Sequence, residues 1–218
     1  MKLRYQILGL GLVGLLAAIV VGIIGLLNTS RLSDAFDQSV EMGLAMQRSQ
    51  DADMMHDAIR GDVLLALFAS INKDAKQIDD AQKDLKEHSE KFNQSLTELQ
   101  AMGISPEVKR MIGVTLPMVK KYTESADSVI KMARADDIAA QAMVPDFQKA
   151  FGELEKQMAA QGEAIETDVK TFSITAKGGV DTTKWQLAMA LAVASIALVA
   201  AALWLVRTME GPMAHAVK

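Results

Sequence analysis

The sequence has no cysteine, only four prolines, and aromatic residues at 5% of its length. Without cysteine there is no disulfide framework, no thiolate metal site and no thiol nucleophile, although the compartment stays open. The shortage of aromatics disfavours a strand-rich fold, because sheets lean on aromatic and β-branched side chains. No proline precedes Pro106, so nothing in the first half of the chain forces a helix to stop. Catalytic signatures are missing as well. There is no phosphate loop, no nucleophile elbow, no HExxH and no supported carboxylate pair, so no enzymatic activity is expected. His56 and His88 each lack a second ligand at i+4, so neither a metal nor another cofactor is expected.

Half of the residues are hydrophobic, and Ala, Leu, Met, Gln, Glu and Lys dominate, the residues that cost least in a helix. Two runs are long enough to cross a bilayer. Ile7 to Leu27 has no charge, and Trp185 to Val206 holds only Gln186 and Ser195 as polar members. At ~1.5 Å per residue, each run covers the ~30 Å hydrocarbon core. Trp185 and Trp204 stand near the two ends of the second run, where indole rings favour the headgroup level. The exit Leu27-Asn28-Thr29-Ser30-Arg31 has no small-x-small cleavage signature, which favours an uncleaved anchor over a signal peptide. Lys2 and Arg4 before the first run, and Arg207 after the second, predict that both termini are cytoplasmic. Residues 28–184 would then be exported. They carry 19 Lys and Arg against 26 Asp and Glu, a formal charge of −7, which makes a nucleic-acid partner improbable. The expected organisation is a cytoplasmic N-terminus (1–6), a first transmembrane helix (7–27), a helical domain (28–184), a second transmembrane helix (185–206) and a cytoplasmic tail (207–218).

Helical periodicity divides the exported part into four. The first membrane helix is expected to continue to about Leu67, with Met55, Ile59, Val63, Ala66 and Leu67 inward, and Ala69 to Asn72 as a short connection. A second helix is expected over Lys73 to Met102, with Ile78, Ala81, Leu85, Phe92, Leu96 and Leu99 inward. Gly103 suits a positive φ after the helix end. Ser105, Pro106 and Glu107 form a cap, first position and acidic first turn for a third helix. That helix would bury Met111, Val114, Met118, Tyr122, Ala126, Val129 and Met132, and Pro117 would bend it. Asp136, Pro145 and Asp146 mark a further turn region. The last helix is expected from Phe147, with Phe151, Leu154, Met158, Ile165 and Val169 inward, weakened at Gly178-Gly179. The fold class is therefore all-α: an antiparallel four-helix bundle whose outer helices are continuous with two transmembrane helices.

The tail reads Arg207-Thr208-Met209-Glu210-Gly211-Pro212-Met213-Ala214-His215-Ala216-Val217. Its basic exit, Pro212 and the Met213/Val217 spacing resemble the opening of a HAMP domain, the cytoplasmic relay of bacterial transmembrane receptors. Met54-Met55-His56-Asp57-Ala58-Ile59-Arg60-Gly61-Asp62-Val63 is similar to a run found in the first sensor helix of chemoreceptors. With the layout, these features make the whole chain resemble the front end of a methyl-accepting chemotaxis protein of the four-helix-bundle class. The resemblance implies a multi-pass protein of a bacterial inner membrane, in contact with lipid, with a periplasmic sensor domain and a homodimeric state. It also implies a small extracytoplasmic ligand and a small helix displacement passed to the cytoplasm. Coupling to the chemotaxis kinase would need a cytoplasmic part that is not in this chain, so a fragment is the expectation. The alternatives are a membrane-anchored scaffold that binds a protein partner, or the sensor front end of a histidine kinase or cyclic-dinucleotide enzyme.

Asp53, His56, Asp57 and Arg60 fall within one helical sector of about 100° and form the candidate ligand site. Arg60 borders the apolar face, where its fork of donors would suit a carboxylate. The competing reading is ordinary ion pairing on a helix face. Phe147 and Phe151 read as core, with Lys149 beside them at the same end. The 14 methionines read as core filling. Gly14, Ala18 and Gly22 repeat at four-residue spacing, as do Ala190/Ala194 and Ala197/Ala201, a small-xxx-small pattern that suits close packing in a membrane dimer.

Overall fold

The computed structural model describes residues 2–213, in four α-helices: α1 (Lys2–Ile71), α2 (Ala75–Ala101), α3 (Pro106–Ala135) and α4 (Asp137–Met213). There is no strand among the described residues. The tail residues 214–218, including His215 and Val217, lie outside the described part, as does the side chain of Pro212. Two compact units emerge, one formed by residues 38–172 and the other by residues 1–37 with 173–218. The two long helices, α1 and α4, each contribute to both.

Residues 38–172 form the bundle. The stripe expected of α2 is buried in full, from Ile78 to Leu99. In α4, Phe147, Phe151, Leu154, Met158 and Ile165 are buried, and in α1 Ile59, Val63 and Ala66. In α3, Tyr122, Ala126 and Val129 are buried as expected, but the first half of the stripe is rotated. Val108, Ile112, Thr115 and Val119 are inward there, whereas Val114 is 45% exposed and Met111 and Met118 only half-buried. Both candidate stripes of α3 have helical spacing, and the position of its neighbours selects between them.

Three turns close the bundle, and each differs in part from expectation. The first, Asn72 to Asp74, is a Schellman motif. Asp74 N donates to Ala69 O, Lys73 N donates to Ser70 O, and Lys73 adopts φ 54°. Asp74 then caps α2 by accepting from Gln77 N. The second turn has its expected Ser105 cap and Pro106 start, but Gly103 does not adopt a positive φ. The physical reason for a glycine there is proximity: a Cβ would lie 2.9–3.2 Å from the carboxylate of Glu41. The third turn is shorter than the Asp136–Pro145–Asp146 region expected. Asp136 alone separates α3 from α4, its carboxylate accepting from Ile138 N and Ala139 N, and the helix runs on through Pro145 and Asp146. Pro145 sits early in a very long helix, where the loss of one backbone bond is a small fraction of the total.

Along α1, every seventh residue from Gly14 to Ser70 is at least half-buried: Gly14, Val21, Asn28, Ala35, Met42, Ser49, His56, Val63 and Ser70. A 3.5-residue repeat of this kind is the seam of a coiled coil. In the unit made by the chain ends, Ala190, Ala194, Leu198, Ala201 and Leu205 of α4 are half-buried, and a Cβ on Gly14 would lie 3.6 Å from Leu198 Cδ2. The Gly14/Ala18/Gly22 ladder therefore splits. Gly14 lies on the seam, while Ala18 and Gly22 are exposed, because a four-residue step advances about 40° beyond a full turn. Ala190 and Ala194 are on the seam, whereas Ala197 is exposed. Gly178 and Gly179 do not interrupt α4.

Lys73 is the one non-glycine residue with positive φ among the described residues. The left-handed region costs an L-residue roughly 1–2 kcal/mol, partly offset by the ~0.5–1 kcal/mol entropic cost of glycine. Lys73→Gly is expected to stabilise the protein by about 0.5–1 kcal/mol, read as a higher midpoint in urea unfolding followed by circular dichroism.

Candidate ligand site and buried polar network

The four candidate residues on α1 do not share one environment. Asp53, Asp57 and Arg60 are on the surface, whereas His56 is 2% exposed and occupies a seam position. Its ring stacks on Phe151 at 4.1 Å and 9°, and is tilted against Tyr122 at 5.1 Å and Phe92 at 6.3 Å. Tyr122 in turn stacks on Phe147 at 5.3 Å. One aromatic cluster thus joins all four helices. Tyr122 Oη donates to the backbone carbonyl of His56 at 3.0 Å, so the buried phenol is satisfied. Burial pushes the Tyr122 hydroxyl well above its ordinary value. His56 Nε2, by contrast, is buried without a hydrogen-bond partner.

Arg60 completes the cluster from outside. Its guanidinium lies 4.6 Å from the centre of the Phe151 ring, a cation–π contact that limits where the fork can point. The connection runs from Arg60 to Phe151 to His56. Phe147 and Phe151 are core residues, as their spacing suggested, and Phe151 is also the platform for Arg60.

A second polar contact went unread in the sequence. Asp62 of α1 is buried, and its Oδ2 lies 2.7 Å from Nδ1 of His88 on α2. An ionised Asp62 needs the proton on Nδ1; a protonated Asp62 can itself donate. The two residues are 26 apart, so no local spacing rule links them. A third contact, Thr115 Oγ1 with Gln161 Oε1 at 2.9 Å, pairs two buried polar groups of α3 and α4. No cluster of three or more His, Cys, Asp or Glu suited to a metal occurs among the described residues.

Two of these groups link folding to pH. Burial lowers the His56 value below 6.5, opposed by Asp57, the Phe151 backbone, Asp53 and Glu155. The unfolded chain therefore takes up this proton more readily than the fold. The His56 contribution is complete above about pH 6.5 and is lost as pH falls through the depressed folded value. Asp62 has the opposite sign. Burial raises it above 3.8, against the pull of His88, so its contribution is present at low pH and is lost as pH rises through the raised folded value. His56→Phe is expected to flatten the fall in melting temperature between about pH 6.5 and pH 5 seen in the parent, measured by scanning calorimetry across that range.

Four helices, two of them bearing long apolar segments, and a core joined by one aromatic cluster define an all-α, four-helix-bundle class of protein. The chain belongs to the family of four-helix-bundle sensory modules for signal transduction, the sensor module of methyl-accepting chemotaxis proteins, whose profile matches residues 1–175. Neither the curated proteins nor the solved structures contain a significant match. Among the described residues, two helices are long and apolar enough to cross a membrane.

Proposed function

We propose that this chain is the transmembrane sensory part of a bacterial chemoreceptor, with the bundle in the periplasm and both ends in the cytoplasm. The observation that carries the reading is that each of the two long helices of a sensory bundle contains one apolar segment. A ligand that favours one packing of α1 and α4 over another then shifts a population and needs no other machinery. The tail from Arg207 would open a HAMP relay, and output would come from a cytoplasmic part, through which the chemotaxis kinase is coupled.

The proposed ligand is a small anion met by Arg60. The hold of Phe151 on the guanidinium supports this, since less freedom is lost when a pre-oriented fork binds a carboxylate. Asp53 and Asp57, exposed on the same helix, would favour a ligand that also bears a cationic group. His56 acts behind Phe151 and does not touch the ligand. A homodimer is the proposed state. Ala18 and Gly22 are free for a membrane contact, and α1 exposes Phe36, Val40, Leu44, Met54, Leu65 and Phe68.

Two measurements test the reading. In a thermal-shift screen of the full chain against amino acids, organic acids and inorganic anions, a binding class should raise the melting temperature. Arg60→Ala should weaken that ligand by at least about tenfold, or ~1.4 kcal/mol, with the bundle still folded by circular dichroism. Equal affinity in parent and variant would remove Arg60 from the site. Because the chain has no cysteine, Ser128→Cys provides a single label position. A membrane-impermeant maleimide should label it in cells with a permeabilised outer membrane, and failure to label would overturn the periplasmic placement.

A further inference from the structure

The turn between α2 and α3 is gripped from two sides. Glu41 of α1 accepts from the backbone N–H of Gly103 at 2.6 Å, and Asp168 of α4 accepts from the backbone N–H of Ser105 at 3.3 Å. Both N–H groups lie where α2 has ended and α3 has not begun, so neither has a partner within a helix. Between them Ile104 is buried at 6% exposure, which pins the turn to the core. A Cβ at position 103 would meet the Glu41 carboxylate at 2.9–3.2 Å, so a side chain there would displace it. Farther along the bundle, Arg48 pairs α1 with Glu98 of α2 at 2.7 Å, and Gln161 pairs α4 with Thr115 of α3 at 2.9 Å.

At the turn itself the hold is unequal. Glu41 makes a short bond to Gly103, and Asp168 makes a long one to Ser105, near the limit of hydrogen-bond length. We propose that the Met102–Ser105 turn is a register stop between α1 and α4, fixed to α1 through Glu41 and releasing α4 at Asp168. An axial slide of about 1–2 Å moves the Asp168 oxygen out of bonding range, while Glu41 stays in place. With the carboxylate on Ser105, α4 is held at one offset against α1; without it, several offsets become similar in energy. Glu41 and Asp168 are positioning residues in this scheme and touch no ligand. The stop rests on the sensory reading, in which α4 moves against α1, yet it is measured without any ligand.

The test uses the full chain in nanodiscs. Spin labels at Gly43→Cys of α1 and Glu153→Cys of α4 are separated along the helix axis, so an axial slide changes their distance. With labelled chain diluted into an excess of unlabelled chain, pulsed electron paramagnetic resonance should give one narrow distance in the parent. Asp168→Ala should shift or broaden it by about 1–2 Å, and Asp168→Asn, which keeps an acceptor oxygen, should restore the parent distribution. An Asp168→Ala distribution identical to the parent overturns the stop, as does one that Asp168→Asn fails to restore. If Asp168→Ala is unfolded by circular dichroism, Gly103→Ala carries the same test, because it drives the Glu41 carboxylate off the turn. An unchanged distance there is equally fatal. The sensory reading fails by a different result: no ligand-induced change in the parent itself.

Discussion

A seven-residue repeat in α1 is the constraint on which the rest of this structure depends. From Gly14 to Ser70 the same face of one helix is kept at least half-buried, through an apolar segment and then through a bundle. An α-helix drifts about 20° per heptad from such a repeat, so only a sequence that holds the seven-residue rhythm keeps one face inward for so long. Small residues dominate the seam, among them Gly14, Ala17, Ala35, Ala45, Ala52 and Ala66, and these permit close approach of a neighbouring helix. Asn28 is an exception. It is 5% exposed, and its amide nitrogen has no hydrogen-bond partner. A buried polar group left in this way costs about 1–3 kcal/mol, and a polar residue at a seam position is a known device for fixing register.

The aromatic cluster gives the bundle a second kind of order. Aliphatic stripes fit one another at several offsets, but stacked rings do not. His56, Tyr122, Phe147 and Phe151 make specific ring contacts, and the Tyr122 hydroxyl also reaches a backbone carbonyl on α1. At the α2–α3 turn, the carboxylates of Glu41 and Asp168 hold the backbone. The bundle is thus fixed by directional contacts near its middle and at that turn. A small ligand acting near Arg60 would press on this cluster, since the guanidinium rests on one of its rings.

Much of this was legible along the chain. Hydrophobicity alone marks the two apolar segments, and 3.6-residue periodicity finds α2 and its buried stripe, because both are local properties of consecutive residues. The Ser105-Pro106-Glu107 start of α3 is equally local, since its side chains act on backbone groups within one turn. Where two faces of a helix are similarly apolar, periodicity cannot choose, and α3 was accordingly misjudged at Val114. Pro145 and Asp146 looked like a turn because proline usually interrupts a helix, yet the single residue Asp136 supplies the cap and α4 passes through them.

The sequence by itself determined the presence of the helices, the Ser105 cap and the two apolar segments, all of which follow from interactions within about four residues. Tertiary structure decided which residues meet. It turned His56 away from Asp53, Asp57 and Arg60 into the core, joined Asp62 to His88, and gave Gly103 its reason through Glu41 rather than through a positive φ. Each of these contacts crosses from one helix to another. Their partners are set by the rotation and offset of whole helices, which the spacing of residues within any one helix leaves free.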